Sequence, residues 1–274
     1  MQICRMRPAL GTFVEIAASA NLSRAYIEHV VDAAYADMAL VEKLMSFHDV
    51  NSELSQLNRS RSPLTIHPWT ARVLRFAQHM ARASAHRFNP TVGGLLVEGG
   101  HLPDHGQTFI ASGNADDIEL IGLSICRRRA VLITLDGIAK GWAVDRAIAR
   151  LRGGGITQAV VNAGGDWRCF GAPQIIRQSI ELGGAVLGQL EHGACATSAA
   201  GLDATRFSAQ LVNDMNVVLA GHWTVIAPQA WRADALTKVA AAAAAETAAD
   251  WVTRLGGQLI TPPAQPRERF THAG

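Results

Sequence analysis

Apolar residues recur at helical spacing in the first third of the chain and predict two long amphipathic helices. The first helix begins after a candidate N-cap, Ser23, and ends near Ser46. The second begins at Pro68, a residue type favoured in the first helical turn, and ends near His86. Between them, residues 50–58 predict a turn followed by a short helix. The apolar positions that define the two long helices are Ile27, Val30, Val31, Ala34, Met38, Val41 and Met45, and then Val73, Leu74, Ala77, Met80 and Ala81.

Short apolar runs bounded by turn residues predict strands, most of them in the second half of the chain. One early strand is predicted at 12–18, and the stretch 98–117, rich in Gly, His, Asp and Asn, predicts a long loop. Two further helices are predicted, from 136 to about 151 and from 233 to 255. Because the strands do not alternate regularly with helices, the pattern favours an α+β fold over a doubly wound sheet. The remaining predicted strands are 118–123, 124–126, 130–134, 159–162, 167–170, 178–182, 186–191, 217–220, 224–226 and 258–261.

The length of 274 residues is sufficient to bury a sizeable core. We find no tandem repeat and no clear linker. The sequence therefore predicts a single domain over residues 1–261, either as one body or as two intertwined lobes. The proline-rich segment 262–274 is expected to be a loose tail.

Composition and charge exclude several classes of protein. The formal net charge is only +2, and the one tight basic run, Arg127–Arg129, is expected to be a solvated turn, so nucleic acid is not expected as the main partner. The first residues show no signal-peptide pattern, and no apolar stretch is strong enough to span or anchor to a membrane. The four cysteines are scattered without metal-ligand spacing. We expect a cytoplasmic protein with reduced thiols.

Two glycine turns follow apolar runs and indicate a site for a phosphorylated ligand. The segment Leu135–Asp145 turns at Gly137 into a helix, whose first N–H groups and dipole favour an anion. Lys140 lies in the first turn of that helix, where a cation opposes the dipole unless something anionic shares the site. A second turn, Asn162-Ala-Gly-Gly-Asp166, could equally be an ordinary hairpin turn. Neither turn has the spacing of a P-loop or of a dinucleotide-binding G-x-G-x-x-G motif.

The start of the last predicted helix offers a weaker signal. Asp234 is explained sufficiently as an acidic residue in a first helical turn. Thr237 and Lys238 lie one turn further on the same face, and oxygens at that spacing could share Mg²⁺ with a ligand. The ten histidines form no metal-binding pattern, and Ser198 lacks the context of a nucleophile elbow.

Taken in order, these segments resemble the ApbE-type FAD:protein FMN transferases over nearly the whole chain. The likeness covers at least seven motifs, which together are far more specific than any one of them. They are Leu10-Gly-Thr-Phe-Val-Glu15, Met45-Ser-Phe47 with Ser52-Glu-Leu-Ser-Gln-Leu-Asn58, Phe88-Asn-Pro-Thr-Val-Gly93, Gly137-Ile-Ala-Lys-Gly-Trp-Ala-Val-Asp145, Asn162-Ala-Gly-Gly-Asp166, Ala196-Thr-Ser198, Val225-Ile-Ala-Pro228 and Ala233-Asp-Ala-Leu236.

The resemblance implies an ApbE-like fold, related to the T-fold, of mixed sheets with flanking helices. It also implies an enzyme that binds FAD and Mg²⁺ and moves FMN onto a Thr or Ser of an acceptor flavoprotein. Gly137, Asp234 and Thr237 would hold the metal, and Asp136, Lys140 and Asp214 would be catalytic. The implied FAD-binding residues are Leu10, Phe47, Phe88, Asn89, Pro90, Thr91, Lys140, Asn162, Gly164, Gly165, Asp166 and Leu211.

The chain departs from the family pattern at four places. The acid before the glycine turn has moved from position 134 to Asp136, and Asn89 replaces the acid of Phe-Asp-Pro. Lys238 stands where the family has a Thr, and an ammonium there could substitute for the charge of a metal that it cannot ligate. In the segment 209–216 the family's histidine becomes Gln210, which removes a candidate base. An alternative is therefore an FAD-binding relative that hydrolyses FAD to FMN and AMP or is inactive, and a plain structural module is a third hypothesis.

Overall fold

The computed structural model describes residues 1–177, 184–200 and 221–260. The strands predicted at 178–182 and 217–220 and the tail 262–274 lie outside these ranges. The strands are β1 (Gln2–Ala9), β2 (Thr12–Ser19), β3 (Leu64–Thr65), β4 (Ile118–Ile121), β5 (Ser124–Arg127), β6 (Gln158–Ala163), β7 (Asp166–Phe170), β8 (Gln174–Arg177), β9 (Val186–Leu190), β10 (Gly193–Ala200), β11 (Gly221–Ala227) and β12 (Gln258–Ile260). The helices are α1 (Arg24–Met45), α2 (Glu53–Arg59), α3 (Pro68–Ala83), α4 (Gly93–Glu98), α5 (Ala139–Gly153), α6 (Ala230–Ala242) and α7 (Ala245–Arg254), with a 3₁₀ turn at Ala115–Asp117.

A seven-stranded sheet in the order β1-β2-β6-β7-β10-β11-β12 forms the centre of the molecule. Two smaller sheets, β3-β5-β4 and β8-β9, flank it, and every strand pair among the described residues is antiparallel. The central sheet takes its strands from both ends of the described chain. The α+β class predicted from the late clustering of strands is confirmed.

Helix α1 illustrates how the apolar spacing produces the core. The Ser23 hydroxyl accepts a hydrogen bond from the Tyr26 N–H and begins the helix, as predicted, and Ser46 ends it. The predicted stripe, Ile27 to Met45, is buried along its length. Helix α1 packs against α5, α5 contacts β6 and β7, and α6 contacts β10 and β11, so these three helices lie on the central sheet.

Helices α5 and α6 hold each other through a reciprocal pair of caps. Neither has a side-chain cap from its own N-cap residue. Instead Asp145, within α5, accepts hydrogen bonds from the N–H groups of Ala230 (3.0 Å) and Trp231 (2.9 Å) at the start of α6. Asp234, within α6, accepts one from the N–H of Gly141 (3.2 Å) at the start of α5. The two carboxylates thereby satisfy N–H groups that a helix start leaves unpaired.

Gly141 allows this mutual arrangement because the two helices touch at its Cα. A Cβ added there would lie 2.3 Å from the Ala230 carbonyl oxygen, which is backbone and cannot move aside. The glycine in the middle of the Ala-Lys-Gly-Trp motif is therefore required by close packing of two backbones.

The segment predicted as a strand at 130–134 is not a strand. It is a largely buried run whose backbone bonds go to loops, to the start of α4 and to the side chains of Asn58 and Arg127. Asn58 bonds both backbone groups of Ile133, donating from Nδ2 (2.8 Å) and accepting at Oδ1 (2.8 Å). The carbonyl of Pro90 accepts the Thr134 N–H. An apolar run of this length has the pattern of a buried strand, and periodicity cannot reveal that a side-chain amide replaces the neighbouring strand.

The single helix predicted over 233–255 is also wrong, because the chain breaks between α6 and α7. A continuous helix from 230 to 254 would be about 37 Å long at about 1.5 Å per residue. Strand β12 must return to pair with β11, directly upstream of α6, so the chain has to turn back earlier. The alanine run around the break carries no local stop signal. Strands β1, β3, β8 and β10 and helix α4 were not predicted, and α5 begins at Ala139, three residues later than expected.

Candidate active site

A cleft of about 910 Å³ lies at the N-terminal end of α5, between the β1–β2 turn, the end of α1 and the turn of the β6–β7 hairpin. Both predicted glycine turns lie on its wall. It also takes residues from β10 and α6. Of the predicted site residues, those that line the cleft are Leu10, Phe88, Asn89, Asp136, Gly137, Lys140, Asn162, Gly164, Gly165 and Asp166.

Two tight turns meet at one side of the cleft. Gly164 (φ +61°) and Gly165 (φ +99°) join β6 to β7, and the Asn162 amide oxygen accepts the Gly165 N–H at 3.1 Å. A Cβ on Gly164 would lie 2.6 Å from the Thr12 hydroxyl, so this turn packs against the β1–β2 turn. In that turn Leu10 has φ +54°, a left-handed conformation that is uncommon for a leucine. The strained backbone places Leu10 on the cleft wall.

An ion pair joins the two glycine turns. Lys140, in the first turn of α5, lies 3.0 Å from Asp166 at the start of β7. The Asp166 side chain is only 3 % exposed, and burial, together with the nearby Asp234 carboxylate, raises its pKa to about 6 against the opposing effect of Lys140. The Asp166 charge raises the pKa of Lys140 in turn. At neutral pH the pair is therefore ionised. Asp166 is therefore one anion of the kind that the position of Lys140 in the first helical turn predicted.

A second ion pair lies on the α6 side of the cleft. Lys238 Nζ donates to Asp234 Oδ1 at 2.6 Å and to the Ser198 hydroxyl at 3.0 Å. Asp234 is fully buried, whereas the Lys238 side chain is 22 % exposed and lines the cleft. Since Asp234 Oδ2 accepts the Gly141 N–H, each oxygen of this carboxylate accepts one hydrogen bond.

Asp136 lies on the turn immediately before α5. Its backbone N–H donates to the Thr134 hydroxyl at 3.3 Å, and the residue lines the cleft. The surrounding protein atoms raise its pKa by desolvation, which outweighs the opposing effect of His48. The pKa of this carboxyl group is therefore closer to neutral pH than that of an ordinary aspartate, and a shift in this direction suits a general base.

Three predicted FAD-binding residues lie behind the cleft wall. Phe47 is fully buried, and its carbonyl bonds the His105 ring nitrogen Nε2 at 2.8 Å. Pro90 and Thr91 are buried, and the Asn89 amide oxygen accepts from both the N–H (3.0 Å) and the hydroxyl (2.7 Å) of Thr91. These residues shape the segment that carries Phe88 and Asn89, and direct contact with a ligand stays a prediction. Leu211 and Asp214 lie outside the described residues.

Several polar residues on the cleft wall were not predicted as site residues. Ser198 lacks the context of a nucleophile elbow, but its hydroxyl bonds Lys238 and Thr237. Its place in the Ala-Thr-Ser motif was the available signal. His48 follows directly after Phe47, and its proximity to Asp136 could not be foreseen from chain order. Other charged or aromatic wall residues outside the prediction include Glu42, Arg87, His101, Trp167, Arg177 and His222.

The three predicted metal ligands do not fit Mg²⁺ as they are arranged. Mg²⁺ needs oxygen atoms with free lone pairs in near-octahedral geometry. Both Asp234 oxygens are bonded, and the Thr237 hydroxyl lies 2.7 Å from the Asp234 carbonyl oxygen and 2.7 Å from the Ser198 hydroxyl. A Cβ on Gly137 would meet Lys238 Cε at 3.2 Å, so the lysine stem packs against this residue. Within residues 1–177, 184–200 and 221–260, no group of three or more His, Cys, Asp or Glu side chains is placed to hold a metal.

The fold and the cleft define an α+β protein with a large cleft at paired glycine turns. The sequence model of the ApbE family matches residues 10–210, most of the chain, and the chain therefore belongs to the ApbE family. A search of curated proteins gave no match.

Solved structures share the fold. An ApbE protein from Thermotoga maritima has 24% identity and a TM-score of 0.78, with 94% of this chain and 93% of that chain covered. A mutant of the flavin transferase ApbE from Vibrio cholerae has 19% identity and a TM-score of 0.77, with 92% and 90% covered. The apo flavinyl transferase ApbE from Pseudomonas stutzeri has 18% identity and a TM-score of 0.78, with 93% and 88% covered. None of the helices in the described part of the chain is long and apolar enough to cross a membrane.

Proposed function

We propose that this protein transfers FMN from FAD onto a threonine or serine of an acceptor protein. The observation that carries the proposal is that both glycine turns and Lys140 lie on one cleft of about 910 Å³, within the usual range for sites that enclose a small molecule or cofactor. Family membership and the names of the solved structures, two of which are flavin or flavinyl transferases, support the reaction class.

In this proposal the diphosphate of FAD lies between the two turns. Gly165 leaves open space, since an added Cβ would meet nothing within 4 Å, and so a phosphate could approach the backbone there. Lys140 and the N-terminal end of α5 favour the negative charge. Phe88 and Leu10 offer apolar surface for a ring, and Asn89 lies beside them.

The reaction is a phosphoryl transfer in which positioning and charge neutralisation dominate. The acceptor hydroxyl oxygen forms a bond to the phosphorus of the FMN half, and the bond from that phosphorus to the bridging oxygen breaks. AMP leaves with the bridging oxygen. We assign the hydroxyl proton to Asp136, whose raised pKa favours a base that works near neutral pH. The catalytic role of Asp214 stays a prediction.

We also propose that residues 1–261 act as a single domain. The support is that the central sheet includes β1 from the beginning and β12 from the end of the described chain, which no division into two consecutive units would allow. The acceptor would then bind at the cleft mouth rather than between separate domains.

The second candidate is a relative that binds FAD and releases FMN and AMP to water, or that only binds FAD. The segment 209–216 favours it, because Gln210 stands where the family has a histidine. Loss of a group that positions or activates the acceptor would leave FAD binding intact and reduce transfer.

Incubation with FAD and a threonine-bearing acceptor peptide separates these functions. Transfer predicts a peptide mass gain equal to FMN and an equal amount of AMP. AMP and free FMN without modified peptide would establish hydrolysis, and intact FAD in the bound fraction would establish a binder.

Lys140→Met should lower AMP release by roughly 100-fold or more, the size of effect seen when one charge-stabilising donor is removed from an active site. Lys43→Met, at an exposed position on α1, is the matched control and should behave as wild type. Equal rates for Lys140→Met and wild type would contradict the proposal.

A further inference from the structure

We propose that the Lys238 ammonium is the resident cation of this site and excludes a divalent metal from the position beside Asp234. Its role toward the dinucleotide rests on the function proposed above, whereas exclusion of the metal does not. The inference starts from the disagreement between the expected Mg²⁺ ligands and the bonds those residues make.

The first step is the occupancy of Asp234. One oxygen receives Lys238 Nζ at 2.6 Å, and the other receives the Gly141 N–H at 3.2 Å. The second bond caps α5, so the carboxylate cannot rotate toward a metal without uncapping a helix. A metal would therefore have to replace Lys238.

The second step is a hydrogen-bond chain that holds Lys238 in place. An ammonium can only donate, so the Ser198 hydroxyl accepts from Lys238 at 3.0 Å. Thr237 donates its one hydrogen to the Asp234 carbonyl at 2.7 Å, and Ser198 must therefore donate to Thr237, also at 2.7 Å. Each hydroxyl therefore donates its hydrogen to one defined acceptor, and the Thr237 hydroxyl both donates and accepts within this chain.

The third step is that the lysine fills the space between the candidate ligands. Its stem packs against Gly137, and its ammonium lies between Asp234 and Ser198. The side chain therefore bridges the Gly137 turn and α6, which is where a metal bound by Gly137 and Asp234 would lie.

Residue usage supports a specific role for the ammonium. The sequence contains 22 arginines and only three lysines, and two of the three, Lys140 and Lys238, line the cleft. The third is Lys43, on the exposed side of α1. Lysine offers a compact point charge, closer in shape to a metal ion than the planar guanidinium that this chain uses almost everywhere else.

The consequence concerns the ligand. Two of the three N–H groups of Lys238 are used by Asp234 and Ser198, which leaves one for a phosphate oxygen in the cleft. The lysine supplies one positive charge where Mg²⁺ would supply two, and it is present without any metal in solution. FAD should therefore bind without a divalent cation.

The direct test is Mn²⁺ binding to the FAD-free protein, measured by electron paramagnetic resonance as the loss of the free-ion signal. Wild type and Lys43→Thr should bind no Mn²⁺ at this site. Lys238→Thr, which removes the ammonium and adds a hydroxyl, should gain one site. Asp234→Asn combined with Lys238→Thr should lose it again. Circular dichroism of each variant verifies that it is folded.

Two results would overturn the inference. One is Mn²⁺ binding by wild type that Asp234→Asn abolishes, since the metal would then coexist with or displace Lys238. The other is a folded Lys238→Thr variant that gains no Mn²⁺, since the lysine would then not be what excludes the metal.

FAD binding, followed by flavin fluorescence, tests the consequence. Excess EDTA should change the wild-type dissociation constant less than twofold. Lys238→Thr should bind at least tenfold more weakly in EDTA and recover when Mg²⁺ is added. A wild-type protein that needs Mg²⁺ for FAD would refute the proposed role of Lys238. A wild-type protein that binds no FAD under either condition would refute the proposed function, while the Mn²⁺ measurement would still decide whether Lys238 excludes the metal.

Discussion

Asp145 and Asp234 perform the same structural task at two ends of the α5–α6 contact, but only Asp234 has a counter-ion that lines the cleft. Each lies within one helix and accepts hydrogen bonds from the first turn of the other. Asp145 has Arg168 as its counter-ion, and neither residue lines the cleft. Asp234 has Lys238, whose ammonium reaches the cleft wall.

The difference teaches that a helix cap and a ligand site can use the same chemistry. Both aspartates lie in motifs of the family likeness, Gly137–Asp145 and Ala233–Leu236, and only Asp234 was predicted as a site residue, as a metal ligand rather than a cap. Asp145 and Asp234 differ in their counter-ions. Arg168 completes a closed set of bonds around Asp145, whereas Lys238 keeps one N–H available to the cleft.

The largest expected effect is on stability, from loss of the closed cap. Asp145→Ala should lower the free energy of unfolding by about 3–5 kcal/mol, because it leaves Arg168 without its partner and two helix N–H groups unbonded. Asp234→Ala should cost only about 1–3 kcal/mol, because it frees one N–H and Lys238 can be hydrated in the cleft. Urea unfolding followed by circular dichroism measures both.

Asp32→Ala is the control for this pair of variants. The Asp32 side chain is 49% exposed and pairs with Arg5 and Arg7 at the surface, so its loss should cost less than about 1 kcal/mol. The effect on FAD affinity should be the reverse of the effect on stability. Asp234→Ala should bind FAD more weakly than wild type, whereas folded Asp145→Ala should bind it equally well. An Asp145→Ala protein as stable as Asp32→Ala would show that the reciprocal caps do not hold the two helices together.

Substitution of two glycines on α5 tests the close contact between α5 and α6. Gly141→Ala should destabilise the protein by about 1–3 kcal/mol or more, since the new Cβ would overlap the Ala230 carbonyl at 2.3 Å and force α5 and α6 apart. Gly153→Ala, at the exposed end of α5 where a Cβ meets nothing within 4 Å, should be neutral or stabilise by up to about 1 kcal/mol. Thermal unfolding of the two variants gives the comparison, and equal midpoints would show that α5 and α6 are not in close contact.

The sequence contained enough to predict what is local. The Ser23 cap, the short helix within 50–58, the Pro68 helix start and the spacing of α1 are properties of short segments, and they were predicted correctly. The two glycine turns were predicted to share one site from their similar pattern, but how they come to line one cleft depends on the sheet order β2-β6-β7 and on the packing of α5 against β6 and β7.

What could not be predicted depends on partners distant in sequence. The Asn58 side chain, 75 residues away in sequence, makes the hydrogen bonds to Ile133 that a neighbouring strand would make. The apolar run at 130–134 was therefore wrongly predicted to be a strand. Lys238 was recognised as a departure from the family, but its bond to Ser198 joins residues 40 apart, and no periodicity encodes such a pair. The break after α6 follows from the demand that β12 return to β11, which the alanine run itself does not signal.

The smallest effect is expected at Cys195, whose reactivity tests whether solvent reaches the β10 wall of the cleft beside Lys238. Cys195 lines the cleft on β10 but is only 2% exposed. Burial, with the nearby Asp166 carboxylate, raises the pKa of its thiol to about 12. Since only the thiolate reacts, roughly one molecule in 10⁴ is reactive at pH 8, and alkylation should accelerate about tenfold per pH unit. Mass spectrometry after iodoacetamide treatment should show Cys195 modified far more slowly than in urea, with Cys195→Ala identifying the slow site. Rapid modification in the folded protein would mean that the β10 wall opens to solvent, and that Ser198, three residues along the same strand, does not hold Lys238 as firmly as its bonds indicate.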